Sequence, residues 1–268
     1  MEAIIHGPHP DGSRPPPINC EIYLDDFTAT HDEVDGCLEE TFQAIHRLAA
    51  AGAMLSMKKS IVCTEEGKIL GHHWHSGGLF TAEDKKLKAI LALPHAELAE
   101  IPAHSIFGLL NFFRCYLPDF AVRTEPLRRL LARSHNEWTE EHTACVKDVI
   151  SRILGALPVI NFNPASPTRL QYRVGPAGLA GVLLQQDPSR PNRWLPIASH
   201  SRTLEASELL LSRLELEVRT IWEVLSKLRN MAAYCRHLEI ESSPEVKSLV
   251  RLAPKLHPRL WALVVDIQ

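Results

Sequence analysis

Residues 20–27, Cys20-Glu21-Ile22-Tyr23-Leu24-Asp25-Asp26-Phe27, read as a strand, a turn and a returning strand. In that reading Ile22 and Leu24 lie on one side and Tyr23 on the other. At its centre stands the acid pair Asp25–Asp26. Adjacent carboxylates repel each other, so the pair is costly unless cations sit against it. Mg²⁺ meets that need, because it takes carboxylate and phosphate oxygens together. A two-metal site for in-line phosphoryl transfer uses such a pair plus at least one further carboxylate. The same letters also suit a solvated turn, where Asp is common, and alone they favour the turn.

Working outward, residues 7–18 (GPHPDGSRPPPI) are turn-rich and proline-heavy, which predicts little regular structure. Downstream, Val34, Cys37, Leu38, Phe42, Ile45, Leu48 and Ala49 follow helical spacing over 33–50. Asp32 reads as its N-cap, Glu33 and Asp35 as first-turn acids, and Gly52 as its terminator. Two apolar runs, MLSMKKSIVC and KILGHHW, separated by TEEG, predict a hairpin. From Thr81 the pattern is largely helical: 83–92, 104–117, 122–134 and 139–155. The last of these has Thr139 as N-cap and Cys145, Val146, Val149, Ile150, Ile153 and Leu154 on one face. Pro94, Pro102, Pro118 and Pro126 fall at the joints. At Leu157 the character changes: LPVINF, RLQYRV, LAGVLLQQ and RWLPIAS are strand-like, with GPAG and DPSRPNR as turns. A long helix over 205–233, the strand HLEIES and a final helical stretch follow. Strands, a helix, a strand and a helix predict an α+β module.

Composition narrows the function. With 268 residues, 45% hydrophobic and 23% charged, the chain is of ordinary globular type. Its 29 basic and 32 acidic side chains leave a formal charge of −3, so nucleic-acid contact would rest on a local patch. Six cysteines without a CxxC argue against a disulfide scaffold or a zinc site and for a reducing compartment. No apolar stretch approaches the roughly 18 residues that span a bilayer, and the N-terminus lacks a signal-peptide layout. The expectation is a soluble intracellular protein, cytoplasmic or nuclear, with no membrane partner.

In order along the chain stand YLDD, the helix ending at Gly52, LSMKKS, ILGHHW, IFGLLNFFRCYLPDF, EPLRRLL, EWTEE and LPVINF. This order and spacing resemble the reverse transcriptase of gypsy-type LTR retrotransposons. The resemblance runs from about Ile22 to about Gln268, and it rests on many collinear matches rather than on one motif. It implies three parts: a partial palm over 1–80, a helical thumb/connection over 81–156, and a degenerate RNase H-like domain over 157–268. It implies that Asp25 and Asp26 hold catalytic Mg²⁺, and that Lys58 or Lys59 lies near the phosphates of an incoming nucleotide. The alternative for the lysines is a solvated hairpin end. Leu70, Gly71 and His72 match the turn that cradles a primer terminus, where glycine permits close backbone approach. His72, His73 and His75 also form a histidine run, but no Cys or further His stands at zinc-ligand spacing. In the thumb-like stretch, Phe107, Phe112 and Phe113 are expected in the core. Arg114, Arg123, Arg128 and Arg129 either meet phosphates or are merely solvated. The implied partner is an RNA or DNA template–primer.

Departures from the family pattern matter as much. The resemblance calls for a palm Asp from a strand upstream of YLDD, and MEAIIHG leaves no room for it, so the isolated chain is expected not to polymerise. In the RNase H-like part, aligning Gly178-Leu179-Ala180-Gly181-Val182-Leu183 with the family's G-I-G-A-V-L puts Arg173 where the first catalytic Asp belongs. Glu215 in LSRLELE then matches the catalytic Glu, although a helix-surface Glu needs no function, and the next Asp falls at Ser243. A cation in place of a metal ligand should expel Mg²⁺. Two roles remain open: a polymerase-derived fragment, or a domesticated scaffold or nucleic-acid-binding subunit with protein partners.

Overall fold

The computed structural model describes residues 5, 18, 20–31, 33–56, 58–94, 96–132, 137–187 and 189–251. The predicted N-cap Asp32 lies outside these, as does most of the stretch 7–18. Helices and sheets are mixed, and the chain divides into two compact units, residues 1–67 and 68–268.

In the first unit β1 (Cys20–Tyr23) and β2 (Asp26–Ala29) form an antiparallel hairpin with Tyr23 opposite Asp26. That register leaves Leu24 and Asp25 as a two-residue turn. Leu24 is therefore not a strand residue on the Ile22 side; it has φ +55° and is 79% exposed. Helix α1 (Val34–Ala50) follows. Its buried residues are Ala44 and Leu48, whereas Val34 and Phe42 of the predicted stripe are exposed. Gly52 ends it with φ +78°, its N–H donating to Ala49 and that of Ala53 to Leu48, a left-handed C-terminal cap. Ile5, Ile18, Cys20, Ala44 and Leu48 form this unit's core.

The apolar run 54–63 forms no strand among its described residues, and Met54 and Ile61 are exposed. The hairpin lies further on. A four-stranded sheet runs in the order β3 (Gly67–Ile69), β4 (His72–His75), β5 (Leu79–Ala82), β6 (Val159–Ile160). Leu70 (φ +50°) and Gly71 (φ +82°) join β3 to β4, a pair of positive-φ residues that matches the right-handed twist of a tight hairpin. Strand β5 is absent from the sequence reading, and LPVINF contributes only β6, to this sheet rather than to the C-terminal one.

The second unit continues with helices α2 (Asp84–Leu91), α3 (Ala103–Asn111), α4 (Phe120–Arg123), α5 (Glu125–Ala132) and α6 (Glu140–Leu154). A 3₁₀ turn, Phe112–Tyr116, extends α3. Thr139 caps α6 as predicted, with its N–H donating to His142 Nδ1 at 2.9 Å. Ile106, Leu110, Phe113, Val146, Val149 and Ile150 centre this core, while Leu154 is exposed.

The C-terminal sheet runs β10–β7–β8–β9, from β7 (Thr168–Val174), β8 (Gly178–Asp187), β9 (Arg190–Thr203) and β10 (Leu238–Ile240). β7, β8 and β9 are antiparallel neighbours, and β10 is parallel to β7. Between β9 and β10 the expected single helix over 205–233 is a 3₁₀ turn (Glu208–Leu210), α7 (Arg213–Lys227) and α8 (Arg229–Ala232). The reason is local: Ser212 and Glu215 build a capping box that starts α7 eight residues late. Helix α9 (Pro244–Arg251) ends the described chain. Leu170, Leu183, Leu195 and Ile197 of the sheet pack against Val218, Ile221 and Val224 of α7. Gly181 makes this approach possible, since a Cβ there would lie 2.6 Å from Val224 Cγ2. No helix among the described residues is long and apolar enough to cross a membrane.

Candidate functional site

Strand β7, helix α7 and the start of α9 converge on one buried carboxylate. Glu217 Oε2 accepts from the Ser243 hydroxyl at 2.7 Å and the Tyr172 hydroxyl at 3.3 Å, and Arg213 Nε donates to Oε1 at 3.0 Å. Burial alone pushes this carboxyl up, but the bonds from Ser243, Arg213 and Tyr172 hold it below its ordinary value. Burial and the Glu217 charge in turn raise the Tyr172 phenol. Ser243 also receives the Val246 N–H at 3.3 Å, so it caps α9 with Pro244 at the first helical position.

Of the three RNase H-like positions expected from sequence, Ser243 lies at this centre. Arg173 is exposed on β7, one residue beyond Tyr172 and so on the opposite sheet face. Glu215 is engaged by its own helix end, where Oε2 accepts from the Ser212 N–H at 2.8 Å and hydroxyl at 2.7 Å. Sequence reasoning passed over Glu217 and Tyr172. The signal was present: in Ser212-Arg213-Leu214-Glu215 the S-x-x-E pattern commits the first glutamate of LELE to the cap, which leaves the second to face inward.

Beside this centre lies an ion network. Arg202 donates from Nη1 and Nη2 to Glu208 at 2.5 and 2.7 Å, and from Nε and Nη2 to Glu223 at 2.6 Å each. His200 Nε2 is 3.0 Å from Glu223, and Arg219 Nε is 2.6 Å from Glu208. The Arg202 bonds outweigh burial and bring the Glu208 carboxyl down to about 2. This network ties β9 to α7 and to the turn between them.

The polymerase-like positions divide between the units. In the first, Asp25 and Asp26 sit exposed at the β1–β2 turn, and Lys58 and Lys59 are exposed on a turn closed by the Lys59 N–H to Ser56 at 2.9 Å. In the second, the Leu70-Gly71-His72 turn rests on the 3₁₀ segment Phe112–Tyr116 that extends α3. His72 Nδ1 is 2.6 Å from the Tyr116 hydroxyl, and its ring stacks on Phe112 at 4.8 Å. Burial first, then the Lys86 charge, lower the His72 pKa and favour the neutral imidazole. Phe113 is fully buried, while Phe107 and Phe112 pack partly buried against the same core. Arg123 pairs with Asp119 and Asp148, and Arg129 with Glu125 and Glu141, whereas Arg114 and Arg128 are exposed.

Comparison with known proteins places this arrangement. The family described as "RNase H-like domain found in reverse transcriptase" matches residues 138–240. The Pro-Pol polyprotein of simian foamy virus type 3 (strain LK3) is 29% identical over 168 residues, 62% of this chain and 14% of that protein. The retrovirus-related Pol polyprotein from transposon gypsy of Drosophila melanogaster is 24% identical over 235 residues, 82% of this chain and 22% of that protein. The chain thus spans well under a third of the length of these relatives. Among solved structures, the foamy viral protease-reverse transcriptase dRH in complex with ds DNA superposes with a TM-score of 0.70, at 23% identity over 92% of this chain and 44% of that one. The foamy viral protease-reverse transcriptase in complex with RNA/DNA hybrid gives 0.69 at 22% identity, over 92% of this chain and 34% of the other. The chain is thus similar to retroviral, foamy-viral and gypsy-type Pol polyproteins, and its residues 138–240 match the RNase H-like domain found in reverse transcriptase.

Proposed function

We propose that this chain is a Pol-derived segment that engages a template–primer duplex, with an RNase H-like domain that no longer hydrolyses RNA. One observation carries the second half: among the described residues, the carboxylate on which β7, α7 and α9 converge, Glu217, is already bonded by Ser243, Tyr172 and Arg213. Two-metal hydrolysis uses several carboxylates with oxygens turned toward the ions. Here Oε2 serves two hydroxyls and Oε1 a guanidinium, so the residues present do not fit Mg²⁺. In this reading Glu217, rather than Glu215, takes the place of the family's helix glutamate, and Tyr172, Arg173 and Ser243 stand around the lost aspartates. The trio Tyr172–Glu217–Ser243 becomes a structural latch between β7, α7 and α9.

The palm-like hairpin fits a hard cation better. Asp25 and Asp26 offer exposed carboxylate oxygens on a tight turn, the donor chemistry Mg²⁺ takes. Bound there, Mg²⁺ would neutralise phosphate charge during nucleotidyl transfer. In this reading the tandem pair contributes one side of a two-metal clamp. Residues 1–80, 81–156 and 157–268 are then palm, thumb/connection and RNase H-like parts. Lys58 or Lys59 faces phosphates, and Leu70, Gly71 and His72 support the primer end.

Nucleic-acid engagement is supported by relatives of the same fold that were solved on ds DNA and on RNA/DNA hybrid. The saturated RNase H-like centre favours one further reading, a domesticated scaffold that binds protein. A filter-binding titration of the purified chain with a labelled template–primer separates the two. Retention that falls steeply and log-linearly with salt supports duplex binding, and weak retention indifferent to salt supports the scaffold.

A further inference from the structure

Three histidines in four residues, His72-His73-Trp74-His75, make up most of β4, and the strand sorts them. Side chains alternate across a strand, so His72 shares a face with Trp74, and His73 shares the other with His75. His72 is taken up by Tyr116 and Phe112, as described above. The other two rings lie face to face at 4.3 Å between centroids, tilted by 36°, each half-buried. A ring nitrogen of His73 lies within 4.8 Å of one on His75. On the paired strand Thr81 stands opposite His73, and its hydroxyl oxygen is 2.9 Å from His75 Nε2, which fixes that ring on the shared face.

We propose that His73 and His75 chelate one borderline divalent transition-metal ion, of the Cu²⁺, Ni²⁺ and Zn²⁺ class. Metal–nitrogen bonds of about 2.0–2.1 Å bring two donors bound to one ion to within about 4 Å of each other, so a small ring rotation closes the chelate. Imidazole nitrogen suits these ions and not Mg²⁺, which makes this site chemically separate from Asp25–Asp26. Thr81 orients the His75 ring from the paired strand as outer partners of metal-bound histidines do. Because only unprotonated imidazole ligates, binding weakens in acid.

The test is Ni²⁺ titration of the full chain, read by calorimetry and by NMR of ¹³C-histidine-labelled protein. One strong site is expected, with the His73 and His75 imidazole signals broadened first and those of exposed His104 retained. His73→Ala and His75→Gln should each weaken Ni²⁺ binding more than tenfold, and His104→Ala should leave it unchanged. Far-UV circular dichroism in EDTA checks that each variant folds. If one variant fails to fold, the broadening pattern of the unsubstituted chain decides. Equal broadening of all histidines, or wild-type affinity in the folded variants, would overturn the proposal.

Discussion

Replacing Arg202 by methionine tests the ion network that joins β9 to α7. The substitution keeps an apolar stem of similar length and removes four charge-assisted bonds to Glu208 and Glu223 at once. Glu208 is only 2% exposed and Glu223 11%, so both carboxylates would be stranded in the interior. Removing one partner of a buried pair costs about 3–5 kcal/mol. An independent route gives a similar figure. The Glu208 carboxyl falls from its ordinary 4.5 to about 2, chiefly through Arg202, which at about 1.4 kcal/mol per tenfold is about 3 kcal/mol of stability at pH 7. Arg219 and the Glu205 N–H remain beside Glu208, so about 3 kcal/mol is the expected loss. The folded-state value is depressed, so this stability is present above the unfolded value and is lost as pH falls from about 4.5 through about 2. Urea unfolding followed by tryptophan fluorescence at pH 7 and pH 3 measures both predictions. The difference between Arg202→Met and the parent should be about 3 kcal/mol at pH 7 and roughly half that at pH 3. A loss under about 1 kcal/mol at pH 7, or one unchanged at pH 3, would refute the assignment of a buried, charge-paired network.

Two further substitutions probe the packing and helix ends of the C-terminal domain. Gly181→Val places a branched side chain where a bare Cβ already meets Val224 Cγ2 at 2.6 Å, so destabilisation of about 1–3 kcal/mol is expected in the same urea assay. Glu215→Ala removes half of the α7 capping box and should cost about 1 kcal/mol; a far larger loss would mean that Glu215 has a role beyond the cap.

The sequence was most readable where local pattern and tertiary partner agree. Strands β7 and β8 are written in the alternation of RLQYRV and the apolar run LAGVLLQQ, joined by a Gly-Pro-Ala turn, and both strands sit there. Thr139 and Gly52 likewise mark helix ends through side-chain and backbone chemistry that acts over a few residues. The errors arose where a distant partner decides. MLSMKKSIVC is apolar enough for a strand, but the hairpin forms around Leu70–Gly71, where the two consecutive positive-φ residues lie. LPVINF reads as a strand of the C-terminal sheet, yet Val159 and Ile160 pair with Phe80 and Leu79. Nothing in six apolar letters states which sheet will accept them. On α1, helical spacing fixes a stripe only to within a rotation, and the burial of Ala44 in place of Phe42 shows which rotation packing selects. For the candidate site, the hairpin position of Asp25–Asp26 was legible, while the pairing of Glu217 with Ser243 required α7, β7 and α9 to be placed in space.

Cleavage of a labelled RNA/DNA hybrid by the purified chain, in Mg²⁺ and again in Mn²⁺, bears most directly on the RNase H-like centre. With Glu217 held by Ser243, Tyr172 and Arg213, the hybrid should remain intact in both ions at every protein concentration. Cleavage in either ion that disappears in Glu217→Gln would contradict the account.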